Sequence, residues 1–263
     1  MKPVYFDLDT VVLDAAQAVC IALPAAGIPA ALAHRLGGRA WALVAPLSLL
    51  GTILLISLAP DSADLFTWIA LLLVPPGCAL GLGWAIHGAR PWLALLTVPL
   101  IVFAFAAPED AVGRVARLAL IVFSTATAGR LLAGGAPLSL LKAGVVLMAA
   151  LDIWLVMGHQ FESQFSGFDA AAPAAALPQL QLAEVGNVAT DYGDYFVSGL
   201  VGAILAAERG PQLVAAVVML PVAEAWNQMF LLVDSLPNTT APALVLIGYE
   251  IWRRRTRPRE AVS

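Results

Sequence analysis

Charge is what this chain has least of: Asp, Glu, Lys and Arg together make up 12% of its 263 residues. A soluble domain carries about 25%, so there is too little polar surface here to face water on all sides. Cysteine is scarce as well. Cys20 and Cys78 both lie in apolar runs, where buried free thiols are expected and a disulfide framework is not. A basic stripe able to follow a nucleic-acid backbone is missing; the basic cluster is a tail of Arg253, Arg254, Arg255, Arg257 and Arg259, and no nucleic-acid partner is expected. Histidine is limited to His34, His87 and His159, scattered and without the His-Glu-x-x-His spacing of a zinc protease. Near the start, Asp7, Asp9 and Asp14 stand where a cleavable signal would carry cations, so the first apolar run is expected to persist as a helix.

What the chain does have is hydrophobicity. Apolar residues reach 60% and come in long runs instead of amphipathic spacing, a distribution that a lipid solvent selects. A spanning helix needs about 20 apolar residues, and breaks fall where Gly, Pro and charge cluster. This reading predicts an all-α polytopic membrane protein, one transmembrane domain over 1–263, with about nine crossings. The predicted spans are 11–33, 41–58, 65–86, 92–107, 111–133 and 138–157, then 192–207, 212–233 and 241–252. An Ala/Pro-rich loop at 159–190 separates the two groups, and 253–263 forms a basic tail. The seventh and ninth spans are short for a core about 30 Å thick, which points to a hydrated cavity beside them.

Lys and Arg in short loops set the orientation. Arg35, Arg39, Arg90, Arg130, Lys142, Arg209 and the arginine tail follow odd-numbered helices. The alternate side holds Lys2, Arg114 and Arg117, together with acids such as Asp61, Asp64, Glu162, Asp169, Glu184 and Asp234. A multi-pass cell-membrane protein with its N-terminus outside and its C-terminus cytoplasmic is expected.

An ionisable residue near the bilayer centre costs about 2.5–3.5 kcal/mol on insertion scales, so each one asks for a reason. Asp152 sits late in the sixth predicted helix and Asp194 at the start of the seventh. Those helices run in opposite directions, so the two acids can lie at similar depth. Two carboxyl groups facing one another can share a proton, one accepting it from water while the other donates to a carbonyl oxygen. The alternative reading makes Asp152 a structural polar residue and Asp194 an interfacial cap. Such a dyad needs neither metal nor cofactor, and none is expected.

At these positions the sequence resembles the presenilin and signal peptide peptidase family of GxGD-type intramembrane aspartyl proteases. In that family helix six carries Tyr-Asp, helix seven Gly-x-Gly-Asp, and helix nine opens with Pro-Ala-Leu. Asp152 matches the first catalytic aspartate, Gly193-Asp194 the second motif, and Pro242-Ala243-Leu244 the third. Leu151 stands where the family has tyrosine, and Asp191 where the first glycine of its motif falls. Asp191 reads either as the cap of helix seven or as a third acid at the site. The motifs span Met148 to Leu244, and the expected orientation is that of signal peptide peptidases.

The resemblance implies a presenilin-like bundle in which Asp152 and Asp194 are catalytic and Gly193, Pro242, Ala243 and Leu244 bind substrate. Pro242 is expected to break helix nine and leave backbone groups beside the dyad. Asp191, Tyr192, Leu180 and Leu182 are accessory candidates. Residues 177–182 alternate enough to pair as a strand with an unwound substrate, and equally suit an irregular amphipathic loop. The implied substrates are transmembrane helical peptides within the lipid bilayer, entering with the N-terminus inside. Prepilin peptidases also use a Gly-x-Gly-Asp aspartate but lack the Pro-Ala-Leu opening. A transporter could instead use Asp152, Asp194 and Glu224 as a proton or cation relay, and a protease-like fold acting as a membrane chaperone is a third reading.

Overall fold

A computed structural model describes residues 7–30, 32–33, 38–58, 63–157, 177–186, 188–233 and 236–256. Lys2, the break at 34–37, Asp61, the first part of the long loop at 159–176, Asp234, Arg257 and Arg259 lie outside the described residues. Nine α-helices of ten residues or more occur among them, at the nine places that the hydropathy pattern predicts. They are α1 Leu8–Ala22, α2 Val44–Leu58, α3 Ala63–Leu80, α4 Thr97–Ala106 and α5 Ala111–Gly135. α6 Leu138–Met157, α7 Tyr192–Ala207, α8 Gln212–Asn227 and α9 Thr240–Thr256 follow.

Four stretches among the described residues are long and apolar enough to cross a membrane: Leu65–Ala85, Ala111–Gly135, Leu138–Val156 and Gln212–Leu231. The expectation of nine crossings exceeds what helix length establishes. α7 illustrates why, since its 16 residues rise only about 24 Å. Outward faces carry bare apolar side chains such as Leu72, Leu95, Trp154, Leu213 and Val217, which suits lipid contact better than water.

Several helix boundaries depart from expectation for local reasons. The predicted first span, 11–33, is a helix only to Ala22. Pro24 cannot continue the hydrogen-bond ladder, and Gly27 adopts a left-handed turn at φ 78°. The chain there pairs with the end of α3 instead, Ala25 N–H donating to Ala85 O and His87 N–H to Leu23 O, each at 2.9 Å. α3 itself runs through Pro75 and Pro76 into a wider π turn at Gly81–Ala85. The 92–107 and 212–233 spans are likewise composite, with 3-10 turns at Pro91–Leu96 and Gln228–Leu231.

α7 is the axis of the bundle, buried without interruption from Asp194 to Ala206. Its neighbours approach closely because glycine leaves the backbone bare. A Cβ added at Gly202 would lie 2.3 Å from Ile21 O of α1, and one at Gly199 would lie 2.7 Å from Thr125 O of α5. Gly129 of α5 meets Gly199 O in the same way. This contact leaves little freedom for α7 to shift against α1 or α5.

At one end of the bundle the loop cations are tied down. Lys142 of α6 bonds Glu208 at 2.6 Å and also Glu250 of α9, while Arg253 reaches Glu208 at 2.7 Å. Arg130 donates to the carbonyls of Ala26, Gly27 and Trp84 and stacks over the Trp84 ring at 4.1 Å. At the other end Arg117 pairs with Glu184 at 3.3 Å and Arg114 with Glu109 at 3.6 Å. Of the three cations that run against the orientation tally, Arg114 and Arg117 therefore carry their own counter-charges, and Lys2 lies outside the described residues.

A short hairpin is the departure from an all-helical reading among the described residues. β1 (Leu182–Val185) pairs antiparallel with β2 (Val188–Asp191), with Leu182 opposite Asp191 and Val185 opposite Val188. Of the two readings of 177–182, the loop describes 177–181, and strand begins only at Leu182. Pro178 has no N–H to offer a ladder, and its carbonyl closes a turn by accepting from Leu180 N–H at 3.0 Å. Leu182, formerly the last residue of the expected strand, becomes the first of β1.

Candidate active site

On α6, residues Leu141, Val145, Met148, Ala149, Asp152 and Leu155 are buried. Their spacing marks one helical stripe, and Asp152 occupies the position where the next apolar residue is due. It is 8% exposed. The stripe faces α7 and α9 within one apolar cluster that includes Phe196, Val197, Leu200, Ala241, Ala243 and Val245.

α7 starts at the last residue of β2. Asp191 is its cap: the backbone is extended, and the side-chain Oδ1 accepts from the Asp194 N–H at 3.1 Å. This arrangement satisfies one of the free N–H groups of the first turn. A Cβ at Gly193 would come within 2.9 Å of the same oxygen, so the glycine keeps the cap uncrowded. Asp194 follows in the first turn and is 8% exposed. Asp152, Asp191 and Asp194 lie close enough to feel one another's charge. Asp191 therefore caps the helix, and its carboxylate lies within electrostatic reach of the other two.

The third component enters from α9. Thr239, just ahead of that helix, donates its hydroxyl to Asp152 Oδ2 at 2.5 Å, and its backbone N–H is directed to the same carboxylate. The neighbouring Asn238 side chain faces Asp194. One dipeptide thus touches both aspartates. Trp226 of α8 steadies the approach, its indole N–H donating to Pro237 O at 3.2 Å.

The Pro-Ala-Leu stretch does not break α9, contrary to expectation. Pro242 is the third residue of a helix that starts at Thr240 and runs to Thr256. Proline is tolerated in a first turn because the N–H groups there have no intrahelical partner. Pro242 and Ala243 are buried against the core, whereas Leu244 is 44% exposed on the outer face. Among the accessory candidates, Tyr192 bonds Ser124 of α5 at 2.8 Å. Leu180 is wholly buried in a cluster with Ala70, Val74 and Leu120, where it packs the fold. Leu182 pairs with Asp191 and so anchors the hairpin to the cap.

No family model, curated protein or solved structure matches the chain. The site must therefore be read from its own geometry. Two buried carboxyl groups within reach of one another's charge disfavour joint ionisation, and a pair of this kind can serve acid and base chemistry in one turnover. The described residues contain no group of three or more His, Cys, Asp or Glu arranged to hold a metal ion.

Asn238 and Thr239 were not among the residues that the sequence singles out. Their signal was present as a polar run, Asn238-Thr239-Thr240, directly ahead of an apolar helix, but such runs ordinarily mark helix capping. Glu224, grouped with the two aspartates in the transport reading, has Asp14 of α1 as its electrostatic neighbour instead.

Proposed function

We propose that the chain is an intramembrane aspartyl protease that hydrolyses peptide bonds within transmembrane segments, with Asp152 and Asp194 as the catalytic pair. The observation that carries this reading is the contact of Asn238 and Thr239 with both aspartates. Three segments far apart in sequence meet at one point, and they are the segments that bear the Asp, Gly-Asp and Pro-Ala-Leu motifs. A residue buried only to pack helices has no need of such an arrangement.

In this mechanism one carboxylate takes a proton from a water molecule, which attacks the scissile carbonyl carbon. The other carboxyl group donates its proton to the carbonyl oxygen, and the roles reverse as the tetrahedral intermediate collapses and the amine leaves. Thr239 fixes the orientation of Asp152, and Asn238 that of Asp194. A helical substrate hides its peptide groups in internal hydrogen bonds, so it must unwind before attack. The β1–β2 hairpin adjoining Asp191 is the segment with which an unwound substrate would pair, in place of residues 177–182.

The reading extends to nine crossings, with the short α7 and α9 spanning a locally thinned or hydrated region, and to an external N-terminus. Single-span proteins or leftover signal peptides with their N-termini inside are the substrates that suit this orientation. The test is cleavage of a single-span reporter by the full chain in proteoliposomes. Asp152→Asn and Asp194→Asn are each expected to abolish cleavage while helical content and monodispersity stay as in the parent. Full activity in either folded variant refutes the dyad.

A further inference from the structure

A second polar site lies away from the dyad, between α1 and α8. The two helices run antiparallel and are fastened at two levels. Asn227 donates to Asp14 Oδ2 at 2.8 Å, and Gln212 donates to the carbonyls of Ile21 and Pro24 at 3.3 and 2.9 Å. Gln17 lies one turn along α1 from Asp14, on the same face. Glu224 lies one turn along α8 from Asn227, and the antiparallel pairing brings it to the level of Gln17.

Gln17 is 1% exposed, and its Oε1 has no hydrogen-bond partner among the described residues. Glu224 Oε1 is buried and lacks a partner in the same way. Buried acceptors are rarely left bare, and here two of them share one helix interface with the Asp14 carboxylate, whose charge reaches Glu224. Every one of these oxygens accepts, while the Asn227 donor is already committed to Asp14. A proton or a small cation among these oxygens would complete the set.

We propose that Asp14, Gln17 and Glu224 form a binding site for a monovalent cation, a proton or a sodium ion, with Asn227 holding Asp14 in place. Oxygen ligands without nitrogen or sulfur select hard cations. Calcium takes six to eight oxygens and magnesium a near-ideal octahedron with several retained waters, whereas a proton or one sodium ion is the smaller demand on three side chains between packed helices. The titratable groups within electrostatic reach of Asp14 are Glu224 from α8 and Tyr195 from α7, and Tyr195 also feels Asp194. The site shares no residue with the proposed catalytic pair, so it stands whether or not the chain is a protease.

The experiment uses the full chain in nanodiscs, in an Asp194→Asn background so that the dyad does not titrate as a pair. The thermal midpoint is followed by tryptophan fluorescence in sodium chloride or choline chloride at constant ionic strength, from about pH 6 to about pH 8. A sodium site raises the midpoint with the logarithm of sodium concentration, and its apparent Kd rises up to about tenfold per pH unit as protons compete. A proton site shows acid stabilisation that is the same in both salts. Either response supports the proposal when Glu224→Gln removes it. Should Glu224→Gln not fold, Gln17→Leu decides, with at least about fivefold weaker response expected. A midpoint indifferent to both ions, or a response unchanged in either folded variant, overturns the site.

Discussion

Replacing Thr239 by valine isolates the contact on which the catalytic reading rests. Valine keeps the branched shape at a position 2% exposed but removes the hydroxyl that donates to Asp152 Oδ2 at 2.5 Å. A hydrogen bond to a charged group contributes about 1.5–3 kcal/mol. If that interaction is felt in the transition state, each 1.4 kcal/mol or so corresponds to about a tenfold change in rate. The expected fall in kcat is therefore about tenfold to a hundredfold, with KM close to that of the parent because Thr239 positions an aspartate and does not itself hold the substrate.

The assay is steady-state cleavage of the reporter helix in proteoliposomes, run beside thermal unfolding of the same preparations. Thr239→Ser retains the donor and is expected to recover most of the lost turnover. A purely structural role predicts a different pattern, in which both variants lose stability and activity falls only with the folded fraction. Thr239→Val turning over within about twofold of the parent, or Thr239→Ser falling as far as Thr239→Val, refutes the positioning role.

Two stability predictions follow from the same coordinates. Gly202→Ala drives a methyl group to 2.3 Å from Ile21 O, backbone that cannot rotate away, and is expected to cost about 1–3 kcal/mol as overpacking; Gly248→Ala meets nothing within 4 Å and is expected to stabilise α9 by about 0.4–1 kcal/mol. Denaturant titration of the two in mixed micelles checks the contrast, and equal effects would remove the close α1–α7 contact. Asp191→Ala removes the cap of α7 at a cost of about 0.5–2 kcal/mol, whereas Asp191→Asn keeps an acceptor and most of the stability. Thermal midpoints of the pair separate a capping role from one that depends on the carboxylate charge.

The helices were legible because lipid-compatible runs are long and their interruptions are chemically loud. α6 and α7 fall at 138–157 and 192–207 as the hydropathy pattern has them. The first span failed because a hydropathy window averages over Pro24 and Gly27, which end α1 without lowering the apolar content enough to register. Pro242 misled in the opposite direction, since a helix breaker is harmless when it lands in a first turn. Within the site, Asp152 and Asp194 stood out as acids in apolar surroundings. Asn238 and Thr239 did not, because a polar pair before a helix already has an ordinary explanation. Asp14 was hidden among the early acids, and its partner Asn227 lies 213 residues away, a pairing that only the folded chain reveals.

The burial of α7 also constrains how a substrate could reach Asp194. Glycine contacts lock this helix against α1 and α5, and shifting either one would mean driving backbone past backbone. The α6–α9 side is built differently. There the outer surface holds a groove of about 590 Å³ lined by Val146, Leu147, Ala150, Leu246 and Ile247, with Leu244 exposed nearby. Apolar packing of Val145 and Met148 with Ala243 and Leu246 joins the seam, and polar contacts fasten it at its two ends: Thr239 on Asp152, and Lys142 with Glu250. On the protease reading, a substrate helix enters along this groove beside the Asp152–Thr239 bond, which stays in place to orient the aspartate, and the ion pair at the far end keeps α6 and α9 joined.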